Sequence, residues 1–469
     1  MNQYQDLLNR QRKYFWANLK TSTAQDRIKK LRNMKKWVLA HQEELKAAIY
    51  ADFKKPAHEV DLTELLPVVS ELKDAIANLQ EWMRERRVPT PISMLGTSSK
   101  VTFEPKGNTL ILAPWNFPFM LTIGPLISAV AAGCTAIIKP SEYSENTSNF
   151  IAKMLEELFS EEEVACLRGD HTLAQALTAL PFDHIFFTGS PEIGKKVMHA
   201  AAEHLCSVTL ELGGRNPVIV DETASISDTT RKLIWGKFMN AGQSCMSPNY
   251  IQVQEKIYSK LLEGLKTRFE TTFKSHQDNI QESPDLSHVI NARHFQRLSG
   301  LIEKAKAAGA KVLIGGHDDP ETNFLAPTIL YDVEPGNPIL EEEIFGPIVP
   351  ILKYKNLDDA LGLIRSMEKP LGLYIFSRSR RNIAKVIRES SSGNVMVNET
   401  TIAFGHPELP FGGVNHSGIG KAHGHAGFLA FTNEKPVVKQ STLLPSTLLA
   451  HAPYTKWKSR ILNFVIRWF

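Results

Sequence analysis

The chain has few cysteines, Cys134, Cys166, Cys206 and Cys245, and they are scattered without the paired spacing of a disulfide framework or a zinc site. Reduced thiols in a cytosol-like compartment are expected, with no metal centre. An excess of one charge sign is also missing. The 54 basic residues against 50 acidic ones leave a net charge of +4, too weak a field to argue for nucleic acid, and no zinc-finger or basic-zipper pattern occurs. The start, MNQYQDLLNRQRKYFW, lacks a continuous apolar core and mixes acid with base, so no secretory or organellar import signal is expected. One long apolar run exists, Phe119 to Ile138. Gly124, Pro125 and Gly133 interrupt it, and it ends in the β-branched CTAIIKP, which predicts a buried helix and then a buried strand rather than a membrane span.

What is present points to a soluble folded protein. Hydrophobic residues make up 43% and charged residues 22%, and 469 residues suit two or three interleaved domains with substantial cores. In the first part of the chain Leu31, Met34, Val38 and Leu45 recur at helical spacing among charges, so amphipathic helices should form an outer layer. Val88 to Phe103 turns to Pro, Ser, Thr and Gly with short apolar alternation, the signature of an extended hairpin or arm. Strand and helix then alternate: TLILAP, a helix after Pro118, TAIIKP, a helix from Ser144 to Phe159, DHIFFTGS, and a helix following Pro191. This predicts a doubly wound parallel sheet. PVIVD, a helix containing Trp235, NYIQV, a helix after Lys256, GLYIFS and GNVMVN predict a second α/β domain, with the boundary near Leu212 and a cleft between the two.

Three segments carry chemistry. A helix predicted over Thr229 to Asn240 runs out in Ala-Gly-Gln-Ser-Cys, so Gly242 releases the chain into a tight loop bearing Cys245. A lone cysteine can also be a small buried hydrophobe, as Cys134 and Cys206 are expected to be. SVTLELGGRNP sets Glu211 at a strand end before a Gly-Gly turn, where it can face a cleft or pair with Arg215. LAPWNFPF places Asn116 between a strand and a helix start, as an amide donor for an oxyanion or a plain loop or cap residue. For a nucleotide, IIKPSE puts Lys139 and Glu142 just after a buried parallel strand, and FFTGSPEIG offers Ser190 as a helix cap with Gly189 and Gly194 beside a helix N-terminus suited to a pyrophosphate. The GxGxxG fingerprint is absent, and a plain strand-to-helix turn explains the same residues. Glu341 to Pro347, EEEIFGP, reads as solvated acids before a turn.

Taken in order, PWNFPF, IIKPSE, FTGSPEIG, LELGGRNP, AGQSC, EEIFGP and LPFGG strongly resemble the aldehyde dehydrogenase superfamily over roughly residues 20 to 430. KPSEYSENT, the short N-terminus and the tail look most like the class 3 branch, which includes fatty aldehyde dehydrogenases. The resemblance implies Cys245 as nucleophile, Glu211 as general base, and Asn116 with the Cys245 backbone N–H as oxyanion hole. It further implies Lys139 and Glu142 on the adenosine ribose, Gly189, Ser190 and Gly194 near the pyrophosphate, and Glu343 on the nicotinamide ribose with Phe345 beside it. Pro191, VMVNETTI near Asn398 and GGVNHSG near Asn415 depart from the family strings. On this reading the fold is α/β: a Rossmann-like NAD(P)-binding domain (1–87 and 104–211), an α/β catalytic domain (212–398), a small β oligomerisation arm (88–103 and 427–441) and an amphipathic tail (442–469). Expected partners are an aldehyde and a second copy of the chain in a homodimer. NAD is favoured with NADP tolerated, because a carboxylate at Glu142 repels a 2′-phosphate.

The end of the chain sets Trp457, Ile461, Phe464 and Trp468 on one helical face and Lys456, Arg460, Asn463 and Arg467 on the other. It is too short to span a bilayer. It can pack on protein, or lie on a membrane surface while lining a substrate entrance, which favours medium or long aliphatic aldehydes. Two other chemistries compete for the site: Cys245, Glu211 and Lys139 also make the set of a nitrilase- or amidase-like hydrolase, and the acyl group can pass to coenzyme A instead of water. A base at Glu211 speaks against the latter.

Overall fold

The structure, a computed structural model, describes residues 3–273, 280–443 and 446–468. Two large sheets organise it. The first has six strands in the order Gly418–Ile419, Ser207–Leu212, His184–Gly189, Asn108–Leu112, Thr135–Lys139, Val164–Cys166, all parallel except the first. The second has seven, in the order Lys311–Ile314, Thr328–Tyr331, Ile348–Tyr354, Tyr250–Gln254, Pro217–Val220, Gly372–Phe376, Asn394–Val397, with only Lys311–Ile314 antiparallel to its neighbour. The central strands of both are buried along their whole length, as their unbroken apolar text requires of parallel strands covered on both faces.

The apolar run after Phe119 becomes the helix Met120–Ala132, buried along nearly all its length, closed by the left-handed Gly133 and followed by Thr135–Lys139. No helix among the described residues is long and apolar enough to cross a membrane. Of the N-terminal helices at Gln3–Tyr14, Ala24–Ala40, Gln42–Phe53 and Leu66–Trp82, the first buries Leu7 and Leu8 with Leu110 and Ile185, and the others share another core in which Leu31, Met34, Val38 and Leu45 lie with Ile123, Leu126 and Ile138. Thr23 and Asp26 start the second of these through a reciprocal capping box.

A third sheet stands apart. Thr97–Pro105 pairs antiparallel with Arg86–Val88 on one side and along its full length with Thr432–Gln440 on the other. It joins the predicted arm to a segment more than three hundred residues later.

Two features of the first sheet lay outside the sequence reading. Strands run outward from Asn108–Leu112 to Thr135–Lys139 and Val164–Cys166, then resume on the other side with His184–Gly189, so the order reverses beside Asn108–Leu112. Such a reversal opens a crevice at the C-terminal strand ends. The chain also returns after Asn394–Val397 to lay Gly418–Ile419 against Ser207–Leu212, with Gly418 opposite Glu211.

Candidate active site

The loop that carries Cys245 is built by a broken helix. The helix ends at Phe238, two residues before the predicted Asn240, and Asn240 and Ala241 turn left-handed with φ of 55° and 51°. Gly242 follows at φ 67°, where a Cβ would lie 2.2 Å from the carbonyl oxygen of Gly346. Only glycine lets the AGQSC turn meet the EEIFGP segment this closely. Beyond it the loop is held by side chains: Asn216 Nδ2 donates to the carbonyls of Cys245 at 2.7 Å and Ser247 at 3.0 Å, and Tyr374 Oη donates to that of Met246. Gln243 Nε2 donates to the His288 carbonyl at 3.0 Å, and its Oε1 accepts from Ile290 N–H at 3.0 Å. Cys245 is thereby fixed, half-buried.

The other motifs converge on this loop. Asn116 is buried, and its Nδ2 donates to the Gln243 carbonyl at 3.1 Å, two residues before the thiol. The second hydrogen of that amide is left for another acceptor. Trp115 meets Phe345 edge-on at 5.4 Å between centroids. Phe345 itself is left-handed at φ 48°.

Glu211 does not pair with Arg215, which instead bonds Glu368 and the Leu340 carbonyl. Both Glu211 oxygens are buried without a hydrogen-bond partner. Burial pushes its pKa up to about 8, opposed by the charges of His423 and Lys421. The LPFGG turn closes over it: a Cβ on Gly412 would lie 2.9 Å from Glu211 Oε1. His423, held by Glu71 at 2.6 Å, supplies the nearby positive charge.

Glu343 corrects the reading of EEEIFGP as solvated acids. Glu341 and Glu342 are exposed, but Glu343 folds across the Gly213–Gly214 turn, so close that a Cβ on Gly213 would lie 2.0 Å from its Oε2. Its Oε1 is buried and unpartnered. Burial raises its pKa to about 7, against the Gly214 N–H and the charges of Arg297 and Lys237. Burial, then Glu343, then Glu211 push the Cys245 thiol well above its ordinary range, while the N–H groups of Cys245 and Met246 pull the other way. The thiol at rest carries its proton.

The remaining predicted residues line the C-terminal edge of the six-stranded sheet rather than the thiol. Lys139 Nζ donates to Glu142 Oε2 at 2.6 Å, making an ion pair of the two. Glu142 borders a cavity of about 630 Å³ shared with Ser141, Asn149, Arg168 and Gly169. Ser190 caps the helix Pro191–Ala202 by accepting from Ile193 N–H at 3.4 Å. Gly194 lets that helix settle on Leu212, where a Cβ would come within 2.7 Å, and Gly189 faces the Phe187 ring. Lys139 and Gly189 end the strands flanking Asn108–Leu112, so both lie along the crevice opened by the reversal of strand order.

Several residues escaped the sequence reading. Thr188, opposite Glu211 in register, has a buried hydroxyl without a partner. Lys237 is wholly buried, its Nζ donating to the Pro248 carbonyl at 2.9 Å and its pKa pushed down to about 7 by burial, opposed by Glu343. Its signal was a lysine on the apolar stripe of Leu233 and Ile234. A dinucleotide fits what is present: a capped helix N-terminus for phosphates, carboxylates for ribose hydroxyls, and the unpartnered oxygens of Thr188 and Glu343 as further polar contacts.

The model of the aldehyde dehydrogenase family matches residues 3–437. The chain is 39% identical over 415 residues to aldehyde dehydrogenase family 3 member A2 of Pongo abelii, covering 88% of this chain and 84% of that one. It is 36% identical over 453 residues to the dimeric NADP-preferring aldehyde dehydrogenase of Canis lupus familiaris, covering 97% and 98%. A solved structure described as the substrate-bound state of Staphylococcus aureus AldH superposes with a TM-score of 0.93 at 38% identity, over 99% of this chain and 100% of that one. Oxidation, not nitrilase-like hydrolysis, is the chemistry these matches support. The chain belongs to the aldehyde dehydrogenase family and is an enzyme that oxidises aldehydes with NAD(P).

Proposed function

We propose that Cys245, Glu211 and Asn116 carry the reaction and that the substrates are medium- to long-chain aliphatic aldehydes. The observation behind the assignment is Glu211: a buried carboxylate with both oxygens unpartnered, charge-coupled to a half-buried thiol. A structural carboxylate is paired. Cys245 Sγ, its proton passed to Glu211 and from there to solvent, attacks the aldehyde carbon. The free Asn116 amide hydrogen and the Cys245 N–H receive the alkoxide. NAD(P), when bound, would supply the acceptor for the hydride lost from this thiohemiacetal, which leaves Cys245 as a thioester. Glu211 then takes a proton from water, whose oxygen attacks the thioester and frees the carboxylic acid and the thiol. Because Glu211 provides for water, hydrolysis is favoured over transfer to coenzyme A.

Lys139 and Glu142 are assigned to the adenosine ribose, Gly189, Ser190 and Gly194 to the pyrophosphate, and Glu343 to the nicotinamide ribose with Phe345 beside it. Glu142 favours NAD, with NADP tolerated; the canine relative is named NADP-preferring. The same relative is named dimeric, and the largely exposed strand Thr432–Gln440 offers an edge for a homodimer here too. The helix Lys456–Trp468 buries none of its residues: Trp457, Ile461, Phe464 and Trp468 are all exposed, with Lys456, Arg460 and Arg467 around them. Such a face suits an anionic membrane surface. We assign it to the substrate entrance of a cytoplasmic enzyme that leans on lipid.

A panel of saturated aldehydes from acetaldehyde to hexadecanal, with each nicotinamide cofactor, tests the assignment on wild type and Cys245→Ala. Reduced nicotinamide should accumulate faster with long chains and not at all with Cys245→Ala. Efficiency about tenfold better with NADP would overturn the NAD preference. Equal turnover by the alanine variant would overturn the nucleophile.

A further inference from the structure

The N-terminal helices bring a buried ionic cluster to the active centre that the reaction itself does not use. The side chains of Lys55 and Glu64 are both 0% exposed, and Lys55 Nζ donates to Glu64 Oε1 at 3.1 Å. The other oxygen of Glu64 accepts the Met120 N–H at 2.8 Å, and the Lys55 ammonium stands 4.2 Å from the centroid of the Phe117 ring. Both contacts fall on the segment that follows Asn116. Glu59 is a second carboxylate interacting with the same ammonium, and it reaches the other way. Its Oε2 accepts the backbone N–H of Asn240 at 2.9 Å, with Ser287 Oγ at 3.5 Å.

Asn240 is where the two loops meet. Its Nδ2 donates to the carbonyl of Asn116 at 2.9 Å and to that of Gln243 at 3.1 Å, the latter being the oxygen that Asn116 Nδ2 also bonds. Its backbone is left-handed, and the helix before it has ended, so its N–H has no intrahelical acceptor. The Glu59 oxygen satisfies a buried donor that would otherwise be left without a partner. The Lys55 ammonium is bonded to one carboxyl, Glu64, which is fastened to the chain after Asn116, and lies close enough to a second, Glu59, fastened to the start of the Cys245 loop, to act on its charge. A buried arrangement of this kind adds little net stability once desolvation is counted, but it constrains geometry.

We infer that Glu59, through its hydrogen bond to Asn240, is a positioning residue that holds the Asn116 amide and the Cys245 loop in register for thiohemiacetal formation. The inference rests on the roles proposed above for Cys245 and Asn116. Glu59 touches neither thiol nor amide and acts through Asn240.

The test uses full-length Glu59→Ala and Glu59→Gln, each alone and combined with Asn116→Ala. Three quantities are followed: kcat and KM per titratable thiol, alkylation of Cys245 by iodoacetamide without cofactor, and the thermal midpoint. Glu59→Ala should lower kcat about tenfold or more with KM for NAD within about twofold, and change the alkylation rate by at least about fivefold. Glu59→Gln keeps an acceptor for the Asn240 N–H and should recover to within about threefold of wild type. In the Asn116→Ala background Glu59→Ala should cost little further kcat, because the two act on one contact. Should Glu59→Ala not fold, Glu59→Asp keeps the charge but withdraws the carboxylate by one methylene, and the same loss of kcat is expected. A lower midpoint with kcat per thiol unchanged, or a Glu59→Gln variant as impaired as Glu59→Ala, overturns the inference. Aldehyde oxidation surviving in Cys245→Ala overturns the site reading beneath it, whatever Glu59 does.

Discussion

Glu211 sits where water cannot solvate it, and its pKa of about 8 reverses the usual behaviour of a carboxylate. As a base it works only once deprotonated, so thioester hydrolysis should accelerate as pH rises through about 8, and Glu211→Gln should lower it by about a hundredfold or more and flatten the profile. Stability runs the opposite way. A pKa raised on folding gives stabilisation that is complete below the unfolded carboxylate value and is lost as pH climbs through the folded one. Glu211→Gln should therefore melt with wild type at pH ~5 and above it at pH ~8, by on the order of 2–4 kcal/mol, as thermal denaturation at the two pH values will show. Glu343 acts on the thiol: its negative charge is the largest one raising the Cys245 pKa. Glu343→Gln should enlarge the thiolate fraction and speed iodoacetamide alkylation about threefold or more at pH ~8, while raising KM for NAD. The residue identities at the thiol were legible as an ordered set of motifs. Which glutamate of EEEIFGP turns inward was not, because burial of Glu343 depends on the side-chain-free Gly213 lying opposite it.

Elements were legible where periodicity was strong and blurred where backbone strain took over. The strands around TLIL, TAIIK and DHIFFTG follow from apolar runs that only a doubly covered sheet can accommodate. The helix before Cys245 read two residues too long, since nothing in Met-Asn-Ala forbids a helix. The left-handed turn at Asn240 and Ala241 is paid for by tertiary contacts with Glu59, Asn116 and Gln243. The C-terminal helix forms as its amphipathic spacing predicts, yet its apolar face has no cover among the described residues. If that face lines the substrate entrance, deleting residues 454–469 should lower kcat/KM for hexadecanal by about tenfold and for acetaldehyde by no more than about twofold. An equal loss on both aldehydes would count against an entrance role.

At the scale of the whole molecule, the antiparallel pairing of Thr97–Pro105 with Thr432–Gln440 makes a sheet that is mostly exposed in one chain, with Val438 at 54%. An exposed sheet that carries apolar side chains is a surface a partner can cover. If the proposed homodimer forms through this edge, Val438→Asp should shift sedimentation from dimer towards monomer while each monomer keeps its fold by circular dichroism; an unchanged sedimentation coefficient would count against an interface here. The amino-acid sequence by itself determined the two α/β sheets, through buried runs and helical stripes that leave few other arrangements, and its motifs, ambiguous one by one, carried in their order the family resemblance from which the proposed roles of the thiol, the base and the oxyanion donor come. Only the tertiary structure decided that the strand order reverses beside Asn108–Leu112, that Gly412 closes over Glu211, and that Glu59 and Lys55 reach the catalytic loops. Those are contacts between segments tens to hundreds of residues apart. Local propensity carries no record of them; close packing and the need to satisfy buried charges select them when the chain folds.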